Sequence, residues 1–145
     1  MSPKRLISAF DIIGPIMVGP SSSHTAGAVR LGQLGRAILG GQPDSAFLGL
    51  HGSFARTGKG HGTDRALVAG LLAMSPDDPR IRNSLQIARQ KGMTLDFRTV
   101  DLGEDAHPNS VQMSYAGAHD AMKLWGRRWA AAWWRCGPST ITTSA

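Results

Sequence analysis

Thiols are almost missing from this chain of 145 residues: Cys136 is its only cysteine. One thiol cannot close an internal disulfide, and an iron–sulfur centre or zinc ribbon needs about three or four. The five histidines are too scattered to form a zinc signature, so no metal ligand is expected. Charged residues make up only 18%, too few for a self-repelling disordered chain, while 41% hydrophobic residues suffice for a core. No apolar run nears the ~20 residues of a membrane-spanning helix. The start, Met1 to Gly14, lacks the continuous apolar stretch of a secretory signal, which points to the cytoplasm. At this length one domain is the expectation.

Aromatic residues are scarce until the chain nears its end. All four tryptophans (Trp125, Trp129, Trp133 and Trp134) fall after Tyr115, as does Cys136. Charge divides at the same place. Residues 1–115 carry 12 Lys/Arg against 9 Asp/Glu, and residues 116–145 carry 4 against 1, so each part holds +3 of the total +6. The body is therefore only mildly basic. It has no interleaving of aromatic and basic residues, which argues against a nucleic-acid partner. The chain reads as a body, 1–115, and an aberrant tail, 116–145. One reading of the tail is an interfacial helix rich in Trp and Arg. A second is a frameshift: Ala130 to Arg135 falls within what a GC-rich codon series for Leu-Gly-Gly-Gly-Met-Val-Glu-Val becomes one base out of phase. No function is placed on the tail.

The body alternates helices, strands and turns. Ala28, Leu31, Leu34 and Ile38 recur at helical spacing after a run of serines, one of which is a natural N-cap, and Gly40-Gly41 stops the helix. Ala46 to Leu50 is a short apolar strand leading into a polar loop, Ser53 to Gly62. Thr63 or Asp64 then caps a helix bearing Leu67, Leu71 and Met74. Pro79 opens a third helix, with Ile81, Leu85 and Ala88 inward and Gly92 closing it. Thr94 to Val100 and Ser110 to Tyr115 alternate as half-buried strands. The expected class is α/β (α+β): a small mixed sheet flanked by helices.

Three loops carry residues suited to chemistry. Ser21-Ser22-Ser23-His24-Thr25 places hydroxyls and free N–H groups at a helix start, which suits a carboxylate or phosphate; an ordinary serine cap is the plain alternative. Lys59-Gly60-His61-Gly62-Thr63-Asp64 joins a strand region to a helix. Its glycines allow close backbone approach, Lys59 adds positive charge, and His61 exchanges protons near neutrality. It is not a P-loop, because Gly60 stands where a Ser or Thr must follow the Lys. In His107-Pro108-Asn109, Pro108 stiffens the backbone between two ligand-capable side chains, although a turn would use the same residues. His51 and His119 carry no evident chemistry.

The order of these segments resembles the beta chain of bacterial iron–sulfur L-serine dehydratase. Phe10-Asp11-Ile12-Ile13-Gly14-Pro15 is followed by Gly19-Pro20-Ser21-Ser22-Ser23-His24-Thr25, Gly52-Ser53-Phe54-Ala55, Lys59-Gly60-His61-Gly62-Thr63-Asp64 and His107-Pro108-Asn109. The likeness runs over roughly residues 8–115. It implies a cytoplasmic lyase turning L-serine into pyruvate and ammonia, with a domain similar to the allosteric substrate-binding domain of some phosphoglycerate dehydrogenases. It also implies a 4Fe-4S cluster, acting as a Lewis acid, whose cysteines belong to a separate alpha chain. By matched motif, Ser22, Ser23, Thr25, Lys59, Thr63 and Asn109 surround the substrate, and His24, His61 and His107 are the candidates for proton transfer. Beta chains of the family continue into a Gly-rich turn, a further strand and an ACT domain, where this chain has its Trp-rich tail. A rival from another class is a stand-alone module that binds an amino acid or small anion without catalysis.

Overall fold

The computed structural model describes residues 25–58 and 62–117, together with the backbone of three strands at 121–129, 133–136 and 140–142. Helix α1 (Gly27–Leu39) ends at Gly40, whose left-handed backbone (φ 81°) lets the chain turn back. Strand β1 (Ser45–Leu50) follows. The expected polar loop is partly helical: α2 (Gly52–Thr57) occupies its first half, and α3 (Thr63–Leu71) follows it where a helix was expected. Pro79–Asn83 forms a 3-10 turn with Pro79 at its start, and α4 (Ser84–Gln90) continues it to Gly92. Strands β2 (Thr94–Thr99) and β3 (Ser110–Ala116) lie where the alternation placed them.

The sheet is mixed, in the order β2, β1, β3, then β4 (Ala121–Trp129) and β5 (Trp133–Cys136), with β6 (Thr140–Thr142) also on β4. Only β1 and β2 run parallel. The backbone of 121–129 and 133–136 is therefore strand, which replaces the interfacial-helix reading of the Trp- and Arg-rich segment. An isolated stretch without amphipathic period gave no sign of this; the hydrogen-bonding edge of β3 supplies the partner.

Register explains the core. Ala46, Leu48 and Leu50 of β1 stand opposite Leu95, Phe97 and Thr99 of β2 and opposite Tyr115, Met113 and Val111 of β3. Paired residues share a face, so these side chains form one apolar surface. Leu48, Met113 and Val111 are fully buried there with Phe54, Leu31, Leu67 and Leu71 from the helices. Each such side chain contributes about 1.5–3 kcal/mol by leaving water. Two glycines set how closely α1 and α3 approach. A Cβ on Gly32 would sit against the Leu67 carbonyl, and one on Gly70 against the Val29 carbonyl.

The direction of the chain places the loops. α1 has 13 residues and β1 has 6, so each spans about 20 Å. The short turn between them makes α1 begin at the end of the sheet where β1 finishes. α3 starts there as well, because it follows β1 through α2, and antiparallel β3 begins opposite His51.

Candidate functional site

At that end of the sheet the sequence motifs are tied together through the backbone. The Pro108 carbonyl accepts hydrogen bonds from the Ser53 N–H at 2.7 Å and the Phe54 N–H at 3.3 Å. It thereby satisfies the orphan donors at the start of α2, which has no side-chain cap. Gly52 makes the junction possible: its φ is +56°, and a Cβ there would lie 2.7 Å from that same carbonyl oxygen. The loop after α2 closes where the Thr63 N–H donates to the Gly58 carbonyl at 2.9 Å. Lys59, Gly60 and His61 lie within this closed loop and outside the described residues.

α3 starts differently from expectation. Its N-cap is Gly62, in a left-handed conformation (φ 69°), without a side-chain cap. Thr63 is the first helical residue, and the Asp64 carboxylate accepts from the Arg65 N–H at 2.8 Å in the first turn. Gly62 can take this conformation without a Cβ penalty, which leaves the Thr63 hydroxyl unused.

Three hydroxyls here are buried and unpaired. Thr25 Oγ1, in the helical turn entering α1, Thr63 Oγ1 and Ser110 Oγ, at the first residue of β3, have no hydrogen-bond partner among the described residues. Their residues are 3%, 0% and 1% exposed. A buried hydroxyl without a partner costs about 1–3 kcal/mol, so three at one end of a sheet single out that end as the candidate site. Thr25 and Thr63 are among the residues the sequence singled out. Ser110 is not, since a serine opening a strand has no local signature.

His107 and Asn109 are half-buried beside Ser110. The Asn109 N–H donates to His107 Nδ1 at 3.0 Å, which fixes the ring to its own loop. His51 has more of a role than its sequence context implied. Its N–H donates to the Ser110 carbonyl at 3.1 Å, and its Nδ1 accepts the Leu102 N–H at 3.2 Å. It clasps the connection between β2 and β3. Ser22, Ser23 and His24, like the serine expected to cap α1, lie outside the described residues, as does His119.

Beside the 58–62 loop a cavity of about 290 Å³ is lined by Leu50, Arg56, Gly58, Asp64, Phe97 and Thr99 among others. Its lining includes two arginines, Arg56 and Arg98, and one carboxylate, Asp64, on partly apolar walls, at the scale of a single amino acid. The donor set does not fit a 4Fe-4S cluster. The sequence has one thiol, Cys136, and among the described residues no three His, Cys, Asp or Glu side chains converge. Among those residues, too, no helix is long and apolar enough to cross a membrane.

Comparison with known proteins places these loops in a family. Residues 8–104 match the family model described as serine dehydratase beta chain. The L-serine dehydratase beta chain of Peptoniphilus asaccharolyticus is 51% identical over 109 residues, covering 75% of this chain and 49% of that one. A probable L-serine dehydratase beta chain of Bacillus subtilis is 45% identical over 119 residues, covering 82% and 54%. L-serine dehydratase TdcG of Escherichia coli is 44% identical over 78 residues, covering 50% and 17%. The chain spans about half the length of the two beta chains it matches. The matched span takes in the Ser21 to Thr25 run, the Gly52 turn and the 58–64 loop, and with it the chain belongs to the serine dehydratase beta chain family.

Proposed function

We propose that this chain is the beta part of an L-serine dehydratase, a lyase of the cytoplasm that converts L-serine to pyruvate and ammonia with an alpha chain. The observation that carries the reading is the junction at the end of β1, where Pro108 holds the Gly52 turn and Gly58 closes the Lys59–His61 loop. These ties bring segments more than fifty residues apart to one place, beside the unpaired hydroxyls of Thr25, Thr63 and Ser110.

In this reading Ser22, Ser23, Thr25, Lys59, Thr63 and Asn109 hold the carboxylate and ammonium of serine. Proton movement falls to the imidazoles of His24, His61 and His107, the residue type suited to neutral pH. One takes the α-proton, and the β-hydroxyl departs as water after accepting a proton from an imidazolium of this set. The resulting aminoacrylate tautomerises to an imine, which water hydrolyses to pyruvate and ammonia. The 4Fe-4S cluster of the resemblance belongs to the alpha chain, since the donors of this chain do not hold one, and none of these proton movements is assigned to it. Residues 116–145 are proposed to be a segment that departs from the family pattern.

The test is anaerobic mixing with a cluster-loaded alpha chain, followed by pyruvate formation from L-serine. Turnover should require both chains and should fall by about 10²-fold or more on His61→Ala. Serine binding by this chain alone, with no turnover when the alpha chain is added, would select the stand-alone binding module instead.

A further inference from the structure

We propose that His51 is a positioning residue whose hold on the connection carrying His107, Pro108 and Asn109 is released by one proton. The effect on turnover rests on the lyase reading above; the release itself is a property of this chain alone. His51 Nδ1 faces two groups of opposite demand, the Leu102 N–H at 3.2 Å and the Val100 carbonyl at 3.3 Å. A bare nitrogen accepts from the first and has nothing to give the second. A protonated one donates to the second and sets its hydrogen against the first. Only one of the two bonds exists at a time, and the state of the ring selects it.

The ring with Nδ1 bare is the one that holds the connection between β2 and β3. Across residues 101–106 the other hydrogen bonds stay inside that connection. The Gly103 N–H donates to the Asp101 carboxylate at 2.9 Å, and the Ala106 N–H to the Gly103 carbonyl at 3.1 Å. Among the described residues, the bond from Leu102 to His51 is the one that fastens this stretch to the end of β1. His51 also holds the far end of the connection. Its backbone N–H donates to the Ser110 carbonyl, and its own carbonyl accepts from Phe54 and Ala55 of α2. His107, Pro108 and Asn109 therefore lie between two attachments to one residue, and only the attachment through the ring responds to a proton.

The surroundings supply the protonated ring with partners. The connection carries Asp101, Glu104, Asp105 and His107, α2 carries Arg56, and β2 carries Asp96 and Arg98, which pair with each other. Strand β3 brings no charged side chain. Of the described carboxylates, Asp101 is the one in reach of the ring, 3.9 Å from Nδ1. A proton on that nitrogen thus meets a carbonyl and an anion together. Imidazole is the side-chain type that changes charge in the physiological range. The hold is present with the ring neutral and lost as it takes up a proton.

Amide exchange of Leu102 in the full chain, corrected for the intrinsic pH dependence of exchange, tests the release. Protection should fall roughly three- to tenfold as the His51 ring protonates, the worth of one hydrogen bond. The ring's own titration is followed in the same samples through its carbon-bound protons. His51→Asn puts a carbonyl oxygen near the place of Nδ1 and does not titrate, so Leu102 should stay protected throughout. His51→Phe, with no acceptor, should leave it unprotected throughout. A Leu102 amide indifferent to the ring's proton, or one with the same pH dependence in His51→Asn, would overturn the proposal. In the reconstituted enzyme His51→Asn should match the wild type within about twofold where imidazoles are neutral, and kcat/KM should fall on the acid side with one proton fewer. An acid limb unchanged in steepness and position would overturn the positioning role. Absence of turnover in the wild-type pair would overturn the lyase reading, and the amide measurement would still decide the release.

Discussion

Tyr115 shows how a single residue ties the sheet to its helical cover. Its ring packs on Gly35 of α1, where a Cβ would lie 2.5 Å from the ring, and its hydroxyl donates to Met113 Sδ at 2.8 Å. Burial pushes the phenol well above its ordinary value, so the folded protein keeps it neutral. An acid whose folded pKa is raised stabilises the fold fully below its unfolded pKa, near 10, and loses that contribution as pH climbs beyond it. Thermal midpoints should therefore be flat in this respect to about pH 10 and then fall. Tyr115→Phe should cost about 0.5–1.5 kcal/mol at neutral pH, through the lost hydrogen bond, and give a shallower alkaline decline. Denaturation followed between pH 8 and pH 11 checks both, using values that bracket the ordinary tyrosine range.

Among the elements, the junction of β1, α2 and the loop before β3 is where fold and site meet. α2 is six residues long and has no cap of its own; the Pro108 carbonyl serves as one. Gly52→Ala puts a methyl 2.7 Å from that oxygen at a φ of +56°. It should destabilise the chain by about 1–3 kcal/mol. It should also lower turnover of the reconstituted enzyme at temperatures where the variant remains folded, because the His107 loop must move. Tm and kcat measured together separate the two effects. The α2 segment reads as a loop locally for the same reason: its donors are answered from more than fifty residues away.

For the whole molecule, the arrangement of edges is decisive. β2 is one exposed margin of the sheet, short and carrying the Arg98–Asp96 ion pair, the kind of edge that resists further pairing. β3 is different, because β4 pairs along its full length from Ser110 to Ala116. Deleting residues 118–145 should therefore leave Val111, Met113 and Tyr115 on an open strand edge. The shortened chain should melt at lower temperature and aggregate at concentrations where the full chain remains dispersed. Light scattering during a thermal ramp reads both. Equal behaviour of the two chains would mean that the paired strands contribute nothing to stability.

Local chemistry alone determined much of this protein. Gly40 and Gly92 end helices, Pro79 starts a turn, and strict alternation marks β2 and β3, because each rule acts within a few neighbouring residues. The combination of the serine run with the Lys59 to Asp64 loop was enough to indicate the family. Tertiary structure decided the rest. His51 has no pattern around it, and its ring partners lie 49 and 51 residues away. The Gly62 cap, the buried hydroxyl of Ser110 and the strands after Ala116 likewise depend on what is packed beside them. The hydrogen bond from the Asn109 N–H to His107 Nδ1, too, exists only in the folded loop.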